Sequence, residues 1–254
     1  MTLPLRECSR CGFVFASRDA LPDLTSLYLE LDDPEYTSSA HARRRQMAHL
    51  LRWALRDVPR PARLLDVGAA SGILLEEALN LGFEAVGVEP SKHLAAQGRG
   101  AGLEVHEGSL PHAALSGERF DVVTIVDVIE HVDDPLGLLA QCHRHLVRGG
   151  LLLVVTPDRR SVAARILGRR WWHRRLAHVC YFDRTTLTQA LTRSGFEPVR
   201  WARPRWYLPV GYLLTRVLQY APRVTTNAGN GSTSGRVVVP FNLRDSLGLV
   251  ARAS

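Results

Sequence analysis

Leu64-Leu65-Asp66-Val67-Gly68-Ala69-Ala70-Ser71-Gly72, followed by Val86-Gly87-Val88-Glu89, decides how this chain folds. An apolar run ends in a glycine-rich turn, a helical stretch follows, and a second apolar run is tipped with an acid. This is the pattern of a strand, tight turn, helix and strand in one half of a doubly wound sheet. Gly68 and Gly72 let the backbone turn sharply and approach a ligand, Ser71 is placed to cap the next helix, and Glu89 stands where it can accept hydrogen bonds from ribose hydroxyls. The expected ligand is an adenosine derivative.

The turn narrows the choice. A dinucleotide fold brings the amides of G-x-G-x-x-G to a pyrophosphate at a helix start. Here Asp66 precedes the first glycine by two positions and Ala70 stands where a middle glycine would sit. An acid at this place repels phosphate and attracts a cation. S-adenosyl-L-methionine, with a sulfonium and an α-amino group, fits better than NAD.

At this point the chain resembles the class I S-adenosylmethionine-dependent methyltransferases, and the resemblance continues downstream. Phe120-Asp121-Val122-Val123-Thr124-Ile125-Val126-Asp127-Val128-Ile129-Glu130-His131-Val132 is similar to that family's fourth strand and following loop. His145-Leu146-Val147-Arg148-Gly149-Gly150 and the apolar run to Pro157 are similar to its L-x-P-G-G turn and fifth strand, with Arg148 in the usual proline's place. The resemblance covers residues 62–157. It implies an α/β fold with a doubly wound, mostly parallel sheet of seven strands and a helical or irregular substrate cap.

Elsewhere the elements are read from periodicity. Met47, Leu50, Leu51, Ala54 and Leu55 recur at helical spacing and predict an amphipathic helix over 40–57, placed to lid the cofactor. Strands are predicted at 63–67, 84–88, 103–107, 120–126, 150–156, 196–201 and 247–251, with helices near 71–81, 91–101 and 135–147 and another reaching Ser194. This divides the chain into an N-terminal extension (1–39), a core (40–202 and 245–254) and two insertions (158–183 and 203–244). Within the second insertion, Leu208 to Tyr220 is apolar apart from Arg216 and predicts a helix against the substrate pocket. The Gly/Asn/Ser/Thr-rich stretch 225–235 predicts a flexible loop.

With 254 residues, 46% hydrophobic and 22% charged, the chain can bury one large core. It shows no signal-peptide pattern and no run of 18 apolar residues, so a cytoplasmic enzyme is the simplest expectation. The four cysteines, Cys8, Cys11, Cys142 and Cys180, form no disulfide framework for this size. Cys8-Ser9-Arg10-Cys11-Gly12 is similar to one knuckle of a zinc ribbon, which some relatives carry whole. Zinc needs about four ligands, no second C-x-x-C exists, and no bound metal is expected.

The net charge is +7. Lys92 is the only lysine, so the excess is arginine, clustered at Arg43 to Arg45 and between Arg159 and Arg175. No aromatic-interleaved basic platform accompanies it, so nucleic acid is not the expected partner. An anionic or lipid-linked small molecule or an acidic membrane surface suits it as well. Oligomeric state is not legible.

For the cofactor, the resemblance implies Asp66, Gly68, Ala70, Gly72 and Glu89, with Ser109 and Leu110 beside adenine and Asp127 near the methionine end. Ser109 replaces the acid common at its position. For the acceptor, His131 stands where quinone-biosynthesis O-methyltransferases also have histidine, and either it or His178 can take a proton from a hydroxyl. Trp172, Arg175 and Tyr181, in the aromatic stretch 171–183, are candidate substrate contacts, Arg175 toward an anionic group. The expected function is methyl transfer to a small molecule, foremost at oxygen, with nitrogen or carbon next. A catalytically silent scaffold on a membrane surface and an NAD-dependent oxidoreductase are the alternatives.

Overall fold

The computed structural model describes residues 3–17, 40–209 and 238–254. A hairpin, β1 (Leu5–Glu7) and β2 (Val14–Ala16), comes first, and helix α1 (Ala40–Ala54) opens the second described stretch. Strand and helix then alternate: β3 (Ala62–Val67), α2 (Ile73–Asn80), β4 (Phe83–Glu89), α3 (Lys92–Gly100), β5 (Glu104–Glu107), β6 (Phe120–Val126), α4 (Pro135–His145) and β7 (Leu146–Pro157). A short helix α5 (Val162–Leu167), strand β8 (Cys180–Tyr181), helix α6 (Arg184–Arg193) and strands β9 (Phe196–Ala202), β10 (Trp206–Pro209), β11 (Val238–Phe241) and β12 (Ser246–Ala253) complete the described chain.

Seven of these strands form one sheet in the order β5-β4-β3-β6-β7-β12-β9. The first five run parallel, and β12 lies antiparallel between β7 and β9. This is the predicted doubly wound, mostly parallel sheet. Its apolar runs are continuous because both faces are covered. Leu65, Val123 and Leu152 enter the core beneath α4 and α6, whereas their neighbours Leu64, Val122 and Leu153 enter the core that α1 and α2 help to form. All six side chains are fully buried. Strand order reverses between β3 and β6, which opens the ligand crevice at the carboxyl ends of these two strands.

Local chemistry sets most helix starts. Ser91 Oγ accepts from Leu94 N at 3.2 Å, Asp134 Oδ1 from Gly137 N at 2.9 Å ahead of Pro135, and Asp183 forms a capping box with Thr186. Ser71 departs from its predicted role. The cap of α2 is Gly72, in a left-handed conformation with φ 88°, and no side chain caps this helix. The amides at the turn are thereby left for other partners.

The predicted helix from Leu208 is also corrected at its start. Leu208 and Pro209 belong to β10, which pairs antiparallel with β11, and the aromatic pair Trp206-Tyr207 suits a strand. The rest of that segment and the 225–235 loop lie outside the described residues. The described part of the N-terminal extension is built into the fold: β2 pairs with β8, Ala16 N donates to Val179 O at 2.7 Å, and Phe13 packs on Phe182 at 5.0 Å between ring centroids. Among the described residues, no helix is long and apolar enough to cross a membrane.

Candidate active site

The glycine turn is a strained loop held in place by backbone contacts. Gly68, Ala70 and Gly72 all have positive φ, at 79°, 48° and 88°. A Cβ on Gly68 would fall 2.5 Å from Val128 Cγ2, and one on Gly72 would fall 2.2 Å from Leu103 Cδ1, so both positions require glycine. The amides of Gly68 and Ala69 donate to Val88 O at the end of β4. Glu89 closes the arrangement: Oε2 accepts from Ala70 N and Oε1 from Ser91 N, both at 2.8 Å. Burial raises its pKa, which these two bonds oppose. Gly108 N donates to Glu89 O at 2.8 Å, and the next two residues are exposed Ser109 and half-buried Leu110.

Asp66 lies beneath the turn. Thr124 Oγ1 donates to its Oδ1 at 2.6 Å, and burial pushes its pKa up to about 7. Asp127, directly after β6, adopts φ 55°, and its amide donates to Val155 O at 2.9 Å. Its Oδ1 is buried with no hydrogen-bond partner, and burial pushes its pKa up to about 6. With Val128 against Gly68, this carboxylate stands at the end of the glycine cradle, with an atom that lacks a donor. Gly68, Gly72, Glu89 and Asp127 fit a ligand with ribose hydroxyls at one end and a cationic amine at the other.

The acceptor side is assembled from more distant residues. Glu130 and His131 lie in a single 3₁₀ turn, Ile129–His131, tied to the stretch just before β8 by Val179 N donating to Glu130 O at 2.9 Å and by a bond of 2.9 Å between His131 Nδ1 and Ala177 O. His131 meets His178 edge to face at 4.6 Å between centroids, and His173 stacks on His178 at 5.7 Å. Burial holds both His131 and His178 neutral, with pKa values lowered to about 4 and about 2. It also raises Glu130 well above the carboxylate range, and Thr156 Oγ1 donates to Glu130 at 2.9 Å. One ligand atom from each of Glu130, His131 and His178 lies within 4.8 Å of the other two, a spacing that could hold a cation.

Asp245 organises the outer wall. Its Oδ2 accepts from Trp172 Nε1 at 3.0 Å and lies 3.3 Å from His173 Nε2. Tyr181 is buried in β8, and Trp171 packs against it in a small apolar cluster. Arg175 is exposed at the rim, its Nε donating to Trp172 O at 3.0 Å, and its charge reaches His131, His178 and Asp127. His131, His178 and Tyr181 are thus linked through ring contacts, His178 and Tyr181 at 6.4 Å between centroids, and Trp172 joins them through His173. Sequence reasoning missed Asp245, His173 and Glu130. Asp245 is 73 positions from Trp172 and carries no motif, whereas Glu130 had a signal in its place beside His131.

Two other features lie apart. Cys8 and Cys11 form a knuckle in the turn of the β1–β2 hairpin, where the Cys11 and Arg10 amides lower the Cys8 pKa, and no third ligating side chain joins them among the described residues. A cavity of about 360 Å³, bordered by Asp121, Arg148, Arg200 and Arg252, lies at the amino ends of the parallel strands, away from the crevice.

Comparison with known proteins bears on the family and the fold. Residues 39–200 match the family model described as a methyltransferase domain. Ubiquinone biosynthesis O-methyltransferase of Cereibacter sphaeroides is 33% identical over 150 residues, covering 54% of this chain and 61% of that protein, so the match spans less than two thirds of the relative. A SAM-dependent methyltransferase from Thermotoga maritima, described as a possible histamine N-methyltransferase, superposes with a TM-score of 0.57 at 20% identity, over 87% of this chain and 93% of that one. The magnesium protoporphyrin IX methyltransferase of Synechocystis, solved with bound SAH, gives a TM-score of 0.55 at 12% identity over 91% and 94%. At such identities the structures speak for the fold. The family match covers more than half of the chain, which therefore belongs to the methyltransferase-domain family, the class I S-adenosylmethionine-dependent methyltransferases.

Proposed function

We propose that this protein transfers a methyl group from S-adenosyl-L-methionine to a hydroxyl oxygen of a small molecule. The observation that carries the proposal is the pairing of the Glu89 cradle with a wall of buried, neutral imidazoles across one crevice. The bound cofactor supplies a methyl carbon made electrophilic by the attached sulfonium. On the cofactor side, Glu89 accepts from ribose hydroxyls, Ser109 and Leu110 flank adenine, and Asp127 receives the amino group at its unpartnered Oδ1, with Asp66 beneath.

On the acceptor side, His131 and His178 orient the hydroxyl without placing a second positive charge beside the sulfonium. Trp172 and Tyr181 hold a flat apolar body, and Arg175 pairs with an anionic substituent at the rim. Positioning within about 3 Å and exclusion of water lower the barrier. The curated relatives named as O-methyltransferases support oxygen as the acceptor atom.

The test is transfer from methyl-labelled S-adenosyl-L-methionine to matched catechol, aniline and indole probes. Label on the catechol oxygen is the expected outcome. Label only on nitrogen or carbon contradicts the oxygen assignment.

A further inference from the structure

We infer that His173, oriented by Asp245, is the general base that removes the acceptor's proton. The inference rests on the methyl-transfer proposal and deepens it. His173 Nε2 lies 3.3 Å from Asp245 Oδ2, with the two side chains 14% and 4% exposed. A carboxylate at this nitrogen holds the proton on Nε2 and leaves the Nδ1 lone pair to accept one, and it stabilises the imidazolium that follows. Asp245 is itself anchored: Trp172 donates to the same oxygen, and the Asp245 carbonyl accepts from Asp158 N at 2.7 Å.

The placement suits the task. His173 stacks on His178, and it packs edge-on against Trp171 at 5.1 Å between centroids. It therefore stands among the aromatic side chains of the acceptor wall, joined through His178 to His131. His131 and His178 are the obvious rivals from their place in the sequence, yet burial makes both poor proton acceptors near neutral pH.

The step balances. The acceptor O–H bond breaks and its proton passes to His173 Nδ1. An oxygen lone pair forms the new bond to the methyl carbon, and the carbon–sulfur pair goes to sulfur, leaving S-adenosylhomocysteine and the methyl ether. The proton then leaves to solvent. His131 and His178 act as positioning residues.

Two measurements test the assignment, with S-adenosylhomocysteine binding followed on the same proteins. The first is the tautomer of His173 by ¹⁵N imidazole NMR. An Nε2–H tautomer that is perturbed by Asp245→Leu is expected, whereas an Nδ1–H tautomer overturns the proposal whether or not a probe acceptor turns over. The second compares catechol with 4-nitrocatechol, which is already largely ionised near neutral pH. His173→Gln should lower kcat on catechol by about 10² to 10⁴-fold and on 4-nitrocatechol by less than about tenfold. It should also move the rise of the catechol pH profile to the alkaline side, measured against the other titratable or charged neighbours, Asp127, His131, Arg175, His178 and Asp245.

Equal losses on both phenols assign His173 a structural role and overturn the proposal. If the wild type does not bind S-adenosylhomocysteine, the methyl-transfer reading itself fails. Binding with an Nδ1–H tautomer removes only the dyad.

Discussion

The two walls of the crevice are made of different materials. The cofactor wall is backbone: three residues at positive φ, amides turned toward Val88 O and Glu89, and glycines where any Cβ would collide. The acceptor wall is side chain: a tryptophan and a histidine converge on Asp245, and His131 is joined to a carbonyl 46 residues away. The first kind of wall fixes a common ligand through local sequence. The second can change by single substitutions without disturbing the sheet, which suits the role proposed for it in selecting the acceptor.

Breaking the cofactor wall should cost most. Glu89→Ala leaves the Ala70 and Ser91 amides without their carboxylate and removes the ribose acceptor. Hydrogen bonds to charged groups are worth about 1.5–3 kcal/mol each, so S-adenosylhomocysteine affinity should fall about 100-fold or more by calorimetry. Gly72→Ala should lower folding stability by about 1–3 kcal/mol in urea titration, because alanine must adopt φ 88° against Leu103. The comparison sharpens if Asp245→Asn lowers turnover at least about tenfold while S-adenosylhomocysteine affinity moves less than about twofold. A comparable loss of both would show that the walls are one unit.

A buried acid gives a smaller, pH-dependent effect. The folded-state pKa of Asp66 is raised, so the native state holds a proton that the unfolded chain has lost. Stability attributable to Asp66 therefore falls as pH rises from about 4 to about 7 and is level above that, the reverse of a salt-bridged carboxylate. Asp66→Asn, which keeps a partner for Thr124, should reduce the stability difference between pH 5 and pH 8 in urea titrations. An unchanged difference would mean that Asp66 is solvated. The smallest effect belongs to the knuckle: Cys8→Ser with Cys11→Ser should shift the melting temperature by less than about 2 °C, because Cys8 is only half-buried and Cys11 is exposed, and surface substitutions stay within about 0.5 kcal/mol.

The same division explains what could be read from the sequence. Burial on both faces of the covered sheet leaves apolar runs such as Leu151 to Val155, and the Gly68 to Gly72 spacing marks the turn, so the fold and the glycine turn are written in short-range pattern. Asp66 was legible by position, but its bond to Thr124, 58 residues away, was not. Ser71 has the chemistry of a cap, yet the left-handed Gly72 took that place because the turn must bend first. His173 was legible only as part of the aromatic stretch 171–183, and Asp245 carried no signal, since their meeting depends on β12 inserting beside β7.

The most direct test of the central claim is calorimetric titration of the protein with S-adenosyl-L-methionine, S-adenosylhomocysteine and NAD, with the Glu89→Ala protein alongside. Saturable binding of both sulfur ligands, loss of that binding in the variant and no heat with NAD are the expected results. Binding of NAD in their place, or no binding of either sulfur ligand, would contradict the account.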